Sequence, residues 1–180
     1  MTLEVLVFAA FRIAGSLPVL RWPLAGGLLV LVVDLADLLL RDVVDLGGIP
    51  DYQSLDKWLD QVYMACFLVV ALRWQGIERT VAAALYAFRL VGLVLFELSG
   101  ERNLLLLFPN VFELWFLAVA AVHHFRPGFR WTGVRLAVVL VAVTAVKLLQ
   151  EWALHGGRIF DGFSSLDALD AIWRWITGSG

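Results

Sequence analysis

The sequence predicts an all-α fold: a polytopic transmembrane bundle of about six spanning helices, followed by a short C-terminal amphipathic helix lying in the membrane interface. Three observations carry that expectation. The 180 residues are 61% hydrophobic and only 17% charged, whereas water-soluble domains run at about half apolar and a quarter charged. Mean hydropathy is +0.84. Apolar runs recur along the chain at close to the roughly twenty residues that a hydrocarbon core of about 30 Å demands. The net charge of −2 offers no basic footprint and excludes nucleic acid as a partner. Cys66 is the single cysteine, so no internal disulfide forms.

The candidate spans follow in order. The first, Leu3 to Leu20, is interrupted by Arg12, Gly15 and Pro18; with no basic leader and an early Glu4 it does not read as a cleaved signal peptide. The second runs from Pro23, a residue suited to a helix start, to Leu40. The third runs from Leu55 to Leu72, the fourth from Ile77 to Leu98, the fifth from Asn103 to Phe125 and the sixth from Thr132 to Leu154. The longest connection, Arg41 to Ser54, holds Gly47, Gly48 and Pro50, which end helices and make turns. No internal repeat divides the chain, so residues 1–154 form one bundle. Residues 155–180 add a linker and the amphipathic helix. There Ser164 and Asp167 stand at capping-box spacing, and Leu166, Leu169, Ile172, Trp173 and Ile176 share a face opposite Asp167, Asp170 and Arg174. That helix is the segment through which a protein partner would dock, the bilayer being the other partner.

The dipeptide Arg-Trp occurs as Arg21-Trp22, Arg73-Trp74 and Arg130-Trp131, and six crossings put all three on one side. Tryptophan favours the headgroup region and basic residues favour cytoplasmic loops, so this side, with Arg79, Arg126 and Arg135, is expected to face the cytoplasm of a bacterial-type cytoplasmic membrane. His123 and His124 fall at the same level as interfacial residues, without the second ligand pair that a metal needs.

The opposite half of each span carries polar stripes. Asp34, Asp37 and Arg41 stack on one face of the second span, and Asp56, Asp60 and Tyr63 on one face of the third. Arg89 and Glu97 lie two turns apart in the fourth span, Asn110 and Glu113 share a face of the fifth, and Thr144, Lys147 and Glu151 share one in the sixth. An ionisable group at the bilayer centre costs about 2.5 to 3.5 kcal/mol, so these stripes are expected to face one another or water around a shared cavity. Seven carboxylates (Asp34, Asp37, Asp56, Asp60, Glu97, Glu113 and Glu151) meet four bases (Arg41, Lys57, Arg89 and Lys147), an excess that hydration, protonation or a bound cation must balance. Arg12 either snorkels or joins them. Pro109 removes a donor within LLLLFPNVFELW and frees a carbonyl one turn earlier, near Leu105, beside Asn110 and Glu113.

The aspartate spacing partly resembles the CDP-alcohol phosphatidyltransferases, six-helix membrane enzymes. They carry Asp-x-x-Asp-Gly-x-x-Ala-Arg, then eight residues, then Gly-x-x-x-Asp-x-x-x-Asp. Asp34-x-x-Asp37 and Asp56-x-x-x-Asp60 match the two acid pairs, with an interval one residue longer. Leu38 replaces the first glycine, Arg41 falls one position early and Tyr52 replaces the second glycine. The resemblance covers residues 34 to 60 and implies a divalent cation such as Mg²⁺ held by Asp34, Asp37, Asp56 and Asp60.

Three functions are compatible with these residues. An acidic cavity lined by Asp34, Asp37, Arg41, Asp56, Asp60, Arg89, Glu97, Asn110, Glu113, Lys147 and Glu151 binds or carries a cation, a proton or a small cationic solute. Alternatively, paired carboxylates hold a metal that acts on a lipid or lipid-linked substrate. In the third, the charges only join helices in a structural or partner subunit. No serine-histidine, cysteine-histidine, zinc or phosphate-loop pattern names a chemistry. The cytoplasmic halves, nearly pure Leu, Val, Ala and Phe, count against a simple open channel.

Overall fold

The computed structural model describes residues 3–43, 52–101, 104, 107–151 and 174. Among them there are helices and no strands. Helix α1 (Leu3–Ser16) runs into a 3₁₀ turn (Leu17–Leu20), then α2 (Pro23–Val43), α3 (Tyr52–Ala71), α4 (Ile77–Ser99), α5 (Val111–Phe125) and α6 (Gly133–Glu151).

Two expected spans are broken, both at prolines. Pro18 has no backbone N–H to continue α1, so the chain tightens into the 3₁₀ turn, and the Pro18 carbonyl accepts from Trp22 at 2.9 Å. Leu104 and Leu107 are helical and Phe108 N–H still donates to the Leu104 carbonyl, but the helix stops there. It restarts at Val111 after Pro109, so α5 has 15 residues where the apolar run predicts 23 positions from Asn103 to Phe125. The Phe108 carbonyl lies at this break, and Leu105, where the missing Pro109 N–H is expected to free a carbonyl, lies outside the described residues.

Helices α3 and α5 form the middle. Phe67 and Phe116 stack with centroids 4.0 Å apart, Trp74 stacks on Phe116 at 5.4 Å, and Tyr86 meets Phe112 edge-on at 5.5 Å. Trp115, Phe67, Phe112 and Phe116 are fully buried, and aromatic side chains of this size dominate core energetics. Around this pair, α1 packs on α2 and α3, α2 on α5, and α4 on both α3 and α5, while α6 leans on α5. Glycine permits the closest approaches. A Cβ on Gly26 would lie 2.3 Å from the Val19 backbone nitrogen, and one on Gly92 would lie 2.3 Å from the Phe108 Cβ.

Two helices, α4 and Gly133–Gln150 of α6, are long and apolar enough to cross a membrane. Their large apolar residues face outward, among them Val91, Val94 and Leu98 on α4 and Val134, Val138 and Val141 on α6. Among the described residues the other helices carry the apolar stretches Pro23–Asp34, Trp58–Ala71 and Val111–Phe125. The loop 44–51 lies outside the described residues, as does the C-terminal amphipathic segment apart from Arg174.

Candidate functional site

Chain direction places the polar stripes together. Helices α2, α4 and α6 start at the Arg-Trp end and run toward the polar end, where α3 and α5 begin. Arg12, one turn before the end of α1, reaches this level and is 4% exposed. Its Nη1 donates to the Asp34 carboxylate of α2, and its Nη2 donates to Asp60 Oδ1 of α3 at 2.6 Å. One guanidinium therefore ties three helices. Removing an arginine from water costs several kcal/mol unless carboxylates and further hydrogen bonds satisfy it, and the planar fork can meet two acids at once.

One turn along α3 from Asp60, Tyr63 enters a second group. Its hydroxyl donates to Glu113 Oε2 at 3.3 Å and accepts from Asn110 Nδ2 at 3.0 Å, and the same Nδ2 donates to Glu113 Oε2 at 3.0 Å. Asn110 is the N-cap of α5, but its side chain does not cap the helix. Pro109 leaves it free to turn toward Tyr63. This closed triangle uses both donors of the group, and Asn110 Oδ1 is left buried without a hydrogen-bond partner among the described residues. Lys147 of α6, also buried, gives Nζ to Gln150 Oε1 at 3.2 Å and lies within electrostatic reach of Glu113, as do Asp34 and Arg89.

Arg89 holds the break itself. Its Nη1 donates to the Phe108 carbonyl at 2.7 Å, a bond made possible by Gly92 one turn further along α4, against which Phe108 packs. Its Nε is buried with no hydrogen-bond partner among the described residues. The salt bridges from Arg89 to Glu97 or Glu113 that the sequence allows do not form among these residues.

Of the residues expected at the site, Asp34, Asp60, Arg89, Asn110, Glu113 and Lys147 are brought to one level on five helices and the turn before α5. Glu97 is exposed and stands apart. The side chains of Asp37, Arg41, Asp56 and Glu151 lie outside the described residues. Two participants escaped the sequence reading as site residues. Arg12 was visible as a cation inside an apolar run, and the acid excess around it was the signal that it belonged inside. Tyr63 was visible in the stripe after Asp56 and Asp60, but nothing local tied its hydroxyl to Glu113.

Adding Arg12 and removing Glu97 changes the charge arithmetic. Among the described side chains at this level, Arg12, Arg89 and Lys147 face Asp34, Asp60 and Glu113, three against three, so the expected acid excess does not hold for them. No group of three or more His, Cys, Asp or Glu that could hold a metal ion occurs among the described residues. Arg12 lies between Asp34 and Asp60, and Asp37 and Asp56, the other two aspartates expected to hold a divalent cation, have side chains outside the described residues.

At the other end, Arg73 Nη1 donates to the Leu20 carbonyl at 2.9 Å, Trp74 meets His123 edge-on at 5.5 Å, and Trp131 lies 5.6 Å from Trp115. Trp115 Nε1 in turn donates to the Glu78 carbonyl at the start of α4, so the three Arg-Trp dipeptides share one end. No protein-family model, curated protein or solved structure matches the chain.

Proposed function

We propose that the chain is a polytopic membrane protein of six helical crossings, with its Arg-Trp end toward the cytoplasm of a bacterial-type membrane, and that the Tyr63–Asn110–Glu113 group binds or passes a proton or a small cation. The lengths support the crossings. At 1.5 Å per residue α2, α3, α4 and α6 measure roughly 30 Å, and α1 with its 3₁₀ turn comes to about the same. The outward apolar faces of α4 and α6 suit lipid, and the inner helices, with polar ends turned toward one another, suit the middle of such a bundle.

The observation that carries the functional reading is the Asn110 side-chain oxygen Oδ1, buried beside the Glu113 carboxylate and without a partner among the described residues. A buried acceptor without a partner costs about 1 to 3 kcal/mol, so it calls for a donor or a cation that the helices do not supply. Asn110 Nδ2 and the Tyr63 hydroxyl are already committed, which leaves a pair of acceptors and suits a proton carrier, an ammonium group or a weakly hydrated metal cation. The test is reconstitution in vesicles with an internal pH dye, under imposed proton, K⁺, Na⁺, Mg²⁺ or ammonium gradients. The native chain is expected to respond to at least one gradient, and Glu113→Gln to lose the response. Equal behaviour of native and Glu113→Gln protein in every gradient, with no thermal shift on adding any of these cations, removes the proposal.

Arg12 favours a second reading. Its pairing with Asp34 and Asp60 is that of a helix-joining clamp, and a protein whose charges do nothing else would be a structural or partner subunit. In that case no cation stabilises the protein, whereas charge reversal across the Arg12–Asp60 pair restores it.

A further inference from the structure

We infer that a cavity at the Arg-Trp end, far from the Glu113 group, binds the headgroup of an anionic phospholipid. The inference rests on the membrane reading above, though not on any activity of Glu113. The cavity, about 370 Å³, opens between the start of α2 and the end of α5, with Trp74 and Ala120 among its buried walls. That size lies within the roughly 300 to 1,000 Å³ of small-molecule sites. Arg21, Trp22, His123 and His124 also line it.

The polar groups in it are donors. The Arg21 guanidinium lies 5.8 Å from the Trp22 ring centroid and makes no ion pair among the described residues, so its charge is presented to whatever enters. His124 brings an imidazole N–H, and the His123 ring forms part of the wall. The neighbouring carboxylate, Glu78, does not line the cavity: it is buried and faces His123 Nε2 at 3.8 Å, which orients that ring. Arg73, nearby, is committed to the Leu20 carbonyl. A site with the Arg21 guanidinium, the His124 imidazole and tryptophan edges, and no acid in its wall, selects a phosphate-bearing group.

A second feature selects lipid over a free phosphate. Ala25 lines the cavity, and Leu28 and Leu29, three and four residues further along α2 and therefore on the same face, are both exposed. They lay an apolar track leading away from the cavity toward the membrane interior, along which an acyl chain can run while Trp22 holds the headgroup level.

The test uses the full chain purified in neutral detergent. Its thermal midpoint is followed while adding a short-chain phosphatidylglycerol, a phosphatidylcholine of the same chain length, or inorganic phosphate. Phosphatidylglycerol is expected to raise the midpoint well above either of the others, and an Arg21→Gln/His124→Gln variant to lose that difference; both side chains are exposed, so the fold does not depend on them. Equal stabilisation by phosphatidylcholine, an unchanged response in the variant, or inorganic phosphate acting alone as strongly as the lipid each overturns the inference. Flotation with phosphatidylcholine vesicles separates the two readings. A chain that floats but shows no phosphatidylglycerol preference loses only the headgroup site, whereas one that fails to float loses the membrane reading as well.

Discussion

Where α3 and α5 end, Phe116 stacks between Phe67 and Trp74, and the helices are held by contact area that tolerates small shifts. Where the same helices begin, they are held by a few directional bonds: Arg12 to Asp34 and Asp60, Tyr63 and Asn110 to Glu113, and Arg89 to the Phe108 carbonyl. Packing of the first kind sets how stable the stack is. Bonds of the second kind set which helices meet and in what register, because each needs a particular partner at about 3 Å and leaves a costly orphan when it is missing. The proposed proton or cation site lies at the second end, where Asn110 Oδ1 is buried without a partner among the described residues.

That contrast can be broken at three points. The largest expected effect is Phe116→Ala. It removes a fully buried ring that stacks on two partners, at a cost of about 3 to 5 kcal/mol, read from unfolding in detergent, with the same loss at low and high salt. A marked salt dependence would mean that charge and packing are not divided between the ends as argued. Next comes Arg12→Met, which keeps the volume of the stem but strands Asp60. Removing one partner of a buried pair costs 3 to 5 kcal/mol, and about 3 kcal/mol, the lower end, is expected because the Asp34 side chain is 52% exposed and rehydrates. An added Asp60→Asn should recover part of the loss; if the double variant is no better than the single, Arg12 is not acting as the clamp. The smallest effect is Tyr63→Phe, about 1 kcal/mol, since one hydroxyl leaves and Asn110 Nδ2 keeps its bond to Glu113. Its value is in the functional assay, where it should shift the response to proton or cation gradients while leaving unfolding nearly unchanged.

The site was half legible beforehand. Asp34, Asp60, Asn110 and Glu113 stood out because helical spacing aligns them in otherwise apolar runs, and Pro109 marked where backbone would come free. The role of Arg12 was not legible, because the azimuth of α1 about its own axis decides whether position 12 meets lipid or Asp34. Glu97 misled for the same reason: it has the right depth but the wrong side of α4. Its exposure, with that of Leu98 beside it, follows from Arg89 and Gly92 turning their own face toward Phe108.

From the residue order alone follow the helical class and the gathering of Arg-Trp pairs at one end, since each depends on neighbours within a turn or on the alternating direction of successive helices. Only the tertiary structure decided that Arg12 lies between Asp34 and Asp60, that Arg89 meets the Phe108 carbonyl, and that Asn110 Oδ1 is buried without a partner among the described residues. Those outcomes depend on how helices distant in sequence rotate and slide against one another, and no local periodicity encodes that.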